Sequence, residues 1–359
     1  MKKVILFAAV IALVFTGCSK DENVGSNNDN NAIGFRVVGK KGQTYATSTE
    51  PMNFNNFFVW GVWDKDGTGT TLDGTFLQKQ FVEKNAGVWS YSPTKYWPTA
   101  GTIEFYAYSP VSSVNAEYDG STVAAPVINY TNPATFKLQE DFVVATATGD
   151  KTSGTNVALT FDHVLSQVEF QARGLHADLI YQIQKIEILE VNTVGTYDLV
   201  AGEWDASAFA TPASYEALPE TSPSSVLYDA TAAAPFVYTI VTGDANYTSL
   251  HLMSGSWAAP AGTTIVIDPA LLETGKSYIA LTFSVKDKSG YEYNTNSDNG
   301  TVYIPFDPQV GGASADNTTK NTRFIYQIDL GTDLDELTFT ATLEAIDEEV
   351  QDPIDNLPL

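Results

Sequence analysis

VALTFDHVLSQVEFQA, residues Val157 to Ala172, alternates apolar with other side chains and changes phase near Val164-Leu165. Val157, Leu159 and Phe161 fall on one face of an extended chain; after the break the apolar set is Val168, Phe170 and Ala172. A period of two marks a strand, because successive side chains of an extended backbone point to opposite faces. The phase change interrupts that strand midway. No helical spacing of apolar residues fits the segment.

The same period recurs on both sides. AIGFRVVG (32–39) places Ile33, Phe35 and Val37 on one face, with Gly34, Arg36 and Val38 on the other. NNFFVWGVW (55–63) is denser in apolar residues and reads as a central strand. TFLQKQFVEK (75–84), VWSYSP (88–93), IEFYAYSP (103–110) and DFVVATATG (141–149) follow. Beyond Ala172 come 183–192, 236–241, TTIVID (263–268), 277–287, 301–306, 323–330 and LTFTATLEAI (337–346). Turns are expected at 66–74, at 286–290 as a hairpin, and at 297–300. The 18 Tyr, 19 Phe and 26 Gly of the 359 residues agree with strands and turns rather than helices. The expectation is an all-β protein of two β-sandwiches in series. The best boundary is the turn GDKTSGTN (149–156), which gives domains of 32–152 and 153–346.

What precedes residue 32 is a different kind of chain. MKKVILFAAVIALVFTG begins with Lys2 and Lys3, continues with an apolar run of about a dozen residues, and ends on small residues before the only cysteine, Cys18. That is the layout of a secretory signal, and the run is shorter than the roughly 20 residues a spanning helix needs. The pattern resembles a bacterial lipobox, which implies removal of residues 1–17 and acylation (palmitate) of Cys18. Two or more acyl chains hold a protein to a membrane stably. Ser19, Lys20, Asp21 and Glu22 resemble a surface-export signal of Bacteroidetes lipoproteins; a solvated, charged tether is the alternative. ENVGSNNDNN (22–31) is too polar to offset its ordering entropy, so residues 18–31 read as a flexible tether.

The formal charge is −24, with only 19 Lys and Arg, so a nucleic-acid partner is not expected. With Cys18 acylated, no disulfide is expected. About 325 residues follow the tether, enough for two ordinary cores.

Candidate chemistry is sparse. Asp162, His163 and Ser166 contain triad residue types, but neighbours on a strand face opposite ways and a triad is defined by geometry. A strand histidine near the domain junction is the plainer reading. Asp64-Lys65-Asp66-Gly67-Thr68-Gly69 begins like a calcium loop, yet Thr75 stands where the bidentate Glu belongs. An acidic turn is the alternative. Trp89, Tyr91, Tyr96 and Trp97 fit either a sugar-stacking platform or core aromatics, with the turn at 95–98 able to expose one ring. No catalytic residue, metal-ligand set or cofactor is assigned.

Several ordered segments resemble the fimbrillin (Mfa-like) family of Bacteroidetes, the subunits of type V pili: 89–110, 141–174, 195–204, 275–285 and 324–346. The resemblance implies transthyretin-like or Greek-key sandwiches, a surface-exposed outer-membrane lipoprotein, and partnership with other fimbrial subunits in adhesion. It also implies that the first strand, with Ile33, Phe35 and Val37 inward, is cut away and replaced by a strand from a neighbour. Lys40 and Lys41 are the expected basic cut site. Arginine-processed members carry an arginine in that loop, whereas here Arg36 lies inside the strand. Without a cut, the protein would act as an anchor or a self-complemented subunit. The acidic tail 347–359 is either a donor segment or a free end. The competing function is a monomeric surface lipoprotein that captures host or bacterial glycans through exposed aromatics.

Overall fold

The computed structural model describes residues 31–38, 55–68, 73–122, 125–135, 138–154, 156–176, 178–218, 238–240, 250–262, 264–293, 300–306, 322–331 and 338–345. The first strands are β1 (Gly34–Val37), β2 (Asn56–Asp64), β3 (Gly74–Asn85), β4 (Val88–Ser90), β5 (Thr102–Ser109), β6 (Ala116–Asp119) and β7 (Val127–Thr131). Then come β8 (Val143–Gly149), β9 (Asn156–Leu159), β10 (Asp162–His163), β11 (Leu165–Gly174), β12 (Leu179–Asp198), β13 (Glu203–Trp204) and β14 (Ala210–Leu218). The last are β15 (Tyr238–Ile240), β16 (Leu250–Met253), β17 (Tyr278–Asp287), β18 (Thr301–Pro305), β19 (Thr322–Leu330) and β20 (Thr338–Ala345). No α-helix occurs among the described residues. The protein is all-β.

Four sheets organise these strands. A six-stranded sheet runs β10-β8-β5-β2-β3-β4, and a two-stranded sheet pairs β1 with β9. A five-stranded sheet runs β15-β11-β19-β20 with β16 also on β11. A seven-stranded sheet runs β18-β17-β12-β7-β6, with β13 and β14 also on β12.

Alternation along β2 shows why there are three cores. Phe57 and Val59 enter an N-terminal core with Ile33, Phe35, Phe105, Val157 and Leu159. Trp60 and Val62, out of phase with them, enter a central core with Tyr108, Tyr130, Phe142, Leu165 and Trp204. The C-terminal core lies between the five- and seven-stranded sheets and holds Val168, Phe170, Ile186, Ile188, Leu281 and Tyr326.

The segment 157–172 touches all three. Val157, Leu159 and Phe161 fill the first core. Val164 breaks the strand between β10 and β11, and with Leu165 joins the central core. Val168, Phe170 and Ala172 fill the third. The Val164 carbonyl accepts the Trp204 indole N–H at 2.7 Å, so the broken backbone keeps a partner.

Strand partnership crosses the expected 152/153 boundary in both directions. β6 and β7 precede it but join the seven-stranded sheet, β7 pairing with the end of β12 from Val194↔Thr131 to Asp198↔Val127. β9 and β10 follow it but pair with β1 and β8. The turn at 149–156 therefore connects two strands of the N-terminal sandwich. β12, twenty residues and about 65 Å at the usual rise, carries side chains into both the C-terminal and the central core.

Within TTIVID, the described residues 264–268 do not form the expected strand. Val266 makes a single bridge to Tyr303 at the edge of β18, and half-buried Ile265 packs on the C-terminal core. The expected 286–290 hairpin is present: Asp287 accepts the backbone N–H of Ser289 at 2.8 Å, and Lys286 bridges Glu292. Of the expected 297–300 turn, 297–299 lie outside the described residues, and Gly300 takes φ +75.

Candidate functional site

β1 is short and has one ladder neighbour among the described residues. It runs parallel to β9 in the register Gly34↔Asn156, Phe35↔Val157, Arg36↔Ala158 and Val37↔Leu159. The residues just before it, 31–33, are held by the 91–97 turn, with a single antiparallel bridge between Ala32 and Tyr96. The Ile33 N–H donates to the Lys95 carbonyl at 2.8 Å, and the Trp97 N–H donates to the Asn31 carbonyl at 2.9 Å. The Tyr91 hydroxyl donates to the Ile33 carbonyl at 2.7 Å. Burial pushes that phenol up to about 12, so it stays a protonated donor at neutral pH.

Side-chain alternation gives this short strand its weight. Ile33 and Phe35 are each only 1% exposed, while Val37 is half-buried against the same core. The Phe35 ring meets Phe57 edge-on at 6.0 Å, Phe105 edge-on at 5.5 Å, and Tyr91 at 5.5 Å and 52°. Burying side chains of this size contributes roughly 1.5–3 kcal/mol each. Arg36 points away from that core and is half-buried.

The aromatic turn beside β1 divides as its residue types suggest. Trp89 and Trp97 are core residues at 6% and 3% exposure, and the Trp97 indole donates to Gly154 at 3.0 Å. Tyr91 is half-buried over Phe35, and Tyr96 alone is exposed.

At the junction, the His163 Nδ1 lies 2.6 Å from an Asp141 carboxylate oxygen. Asp141, which opens the 141–149 run, arrives there because β8 and β10 pair His163 with Val143, two residues beyond it. Ser166 exchanges a hydroxyl hydrogen bond with Ser254 at 2.7 Å. In the acidic turn, Asp64 accepts the Gly67 N–H and Asp66 accepts the Thr68 N–H and hydroxyl. Cys18, Ser19, Lys20, Asp21, Glu22, Lys40, Lys41 and the tail 347–359 lie outside the described residues.

A family model described as fimbrillin-like matches residues 44–345. Among solved structures, a fimbrial protein from Bacteroides vulgatus is similar at a TM-score of 0.59 and 14% identity, covering 88% of this chain and 100% of that one. The tip fimbrial protein Mfa3 from Porphyromonas gingivalis, with C-terminal truncation, is similar at a TM-score of 0.37 and 11% identity, covering 84% and 97%. No curated protein matches the chain. The match over 44–345 spans most of the sequence and both sandwiches, and the chain belongs to the fimbrillin-like family.

Proposed function

We propose that the protein is a fimbrial subunit used in adhesion, exported as an outer-membrane lipoprotein acylated on Cys18 and assembled with other fimbrial subunits by strand exchange. Residues Ser19 to Glu22 would direct it to the cell surface. The observation that carries this reading is the segment 33–37: Ile33 and Phe35 are buried on a chain whose strand, β1, is four residues long and has one ladder neighbour among the described residues. Removing it would leave an apolar furrow walled by Phe57, Phe105, Tyr91 and β9. An incoming strand with the same alternation would restore both the main-chain hydrogen bonds and the filled pockets. Parallel pairing is slightly weaker per residue than antiparallel, which favours exchange at this edge.

The cut belongs at Lys40 or Lys41 rather than at Arg36. Arg36 sits within the β1–β9 ladder, and a protease needs an unpaired stretch of chain.

The test uses the purified chain from Ser19 onward, treated with limiting trypsin and run on SDS gels without boiling. Clipping near Lys41 followed by a ladder that boiling collapses supports exchange. A clipped chain that stays monomeric, with its N-terminal fragment retained, overturns it.

A further inference from the structure

The six-stranded sheet has a second face, turned away from β1. Part of it opens on a cleft of about 430 Å³ between β3 and β6. Its floor and one wall are aromatic. Tyr118 stacks on Trp60 at 4.3 Å and 18°, and Trp60 stacks on Tyr108 at 5.4 Å and 28°. Gly120 approaches so closely that a Cβ there would stand 2.7 Å from the Tyr118 ring, so the end of β6 helps to fix that ring. Burial pushes the Tyr118 phenol up to about 12, which leaves its hydroxyl a donor.

The opposite wall is built by a bulge. The β2–β3 register passes from Val59↔Gln80 to Gly61↔Leu77, so Gln78 and Lys79 together face the single residue Trp60. Lys79 takes φ +43, in the left-handed region that non-glycine residues rarely enter. Bulges re-aim side chains. Here Gln78 and Lys79 both line the cleft and are exposed, and the Lys79 ammonium lies 4.9 Å from the Phe58 ring centroid. Thr75, Glu117 and Ser121 complete the polar rim.

We propose that this cleft binds a neutral saccharide of one or two pyranose rings. Its volume falls within the usual range for a small-ligand site, about 300–1,000 Å³. A pyranose has an apolar C–H face suited to the half-buried Tyr118 ring, which buried Trp60 backs, and hydroxyls suited to Gln78, Thr75, Ser121 and Glu117. Lys79 and Glu117 carry opposite charges, so the lining offers no net charge to an ionic ligand. The site is separate from the turn that holds Trp89, Tyr91, Tyr96 and Trp97, and it lies across the sheet from β1. It therefore stands or falls independently of strand exchange.

The test is saturation-transfer NMR and calorimetry on the uncut chain from Ser19 onward. The probes are methyl glycosides of glucose, galactose, mannose, fucose and N-acetylglucosamine, with lactose, cellobiose and glucuronic acid. At least one neutral sugar binds saturably. The double variant Gln78→Ala/Glu117→Gln weakens that sugar by about tenfold or more while the thermal midpoint holds, because both residues are exposed. Tyr96→Ala leaves binding unchanged. The proposal is overturned if no neutral sugar binds, if glucuronic acid binds more tightly than the glucoside, or if the double variant binds as well as the parent.

Discussion

Phe35 is the residue on which the N-terminal core closes. It is 1% exposed and boxed by three rings, so Phe35→Ala should cost about 3–5 kcal/mol in urea or thermal unfolding. The polar junction makes a second prediction. Asp141 keeps 19% of its side chain in solvent beside His163. Removing one partner of a buried pair costs 3–5 kcal/mol, so Asp141→Asn should cost somewhat less, about 2–3 kcal/mol. The pH dependence follows from two shifts. Burial pushes the His251 imidazole below its ordinary value, against the upward pull of Asp141. Its contribution is present above about pH 6.5 and is lost as the pH falls through the lowered folded value. For Asp141, burial pulls upward, but the charge and hydrogen bond of His163, with His251, outweigh it and the carboxyl is held low. That contribution is present above about pH 4 and is lost only in stronger acid. Thermal midpoints should therefore fall in two stages on acidification, and His251→Gln should remove the first. Alternation alone placed Ile33 and Phe35 inward and marked His163 as a strand histidine. Asp141 could not be read as its neighbour, because the contact depends on the register of β8 with β10.

At the scale of elements, β1 is a lightly supported piece of the N-terminal sandwich, four residues long and outside the six-stranded sheet. Its amides should exchange with solvent faster than those of central β2 and β5, which have ladder neighbours on both sides. Tyr91→Phe removes the 2.7 Å hydrogen bond to Ile33, costs about 1 kcal/mol, and should speed exchange in β1 selectively. If β1 exchanges only on global unfolding, with or without the hydroxyl, it is not a separable unit. The strong strands were legible because each carries an apolar face: β2, β5, β8, β11, β17 and β19. The ladder partner of β1 was not, since a parallel pairing across some 120 residues leaves no local signal. β6, β7, β14 and β16 escaped notice for another reason. They are short or interrupted, as by Pro212 in β14; β7 and β14 are recruited by β12, β16 by β11, and β6 by β7, rather than by their own pattern. TTIVID shows the reverse case, an apolar run whose side chains seal a core edge without building a ladder.

For the whole molecule, the central core decides how the halves behave. Trp60 and Tyr108 come from the six-stranded sheet, Tyr130 and Tyr197 from the seven-stranded one, and Leu165 and Met253 from the five-stranded one. Calorimetry should show one cooperative transition, and Trp204→Ala should shift all of it. Two resolved transitions would mean that the shared core contributes little. The all-β class was visible in composition and in the period-two alternation. The crossing of β6, β7, β9 and β10 between sandwiches was not, because sequence proximity suggests the nearer sheet and only long-range register assigns the other.

The account depends most on the replaceability of β1. The direct measurement cuts the chain at Lys41, adds a labelled synthetic peptide of residues 31–38, NAIGFRVV, and follows incorporation by native mass spectrometry. The account predicts one peptide taken up per subunit, and none from a peptide with Phe35→Asp. Failure to take up the native peptide, with the original fragment still seated in every subunit, would contradict it.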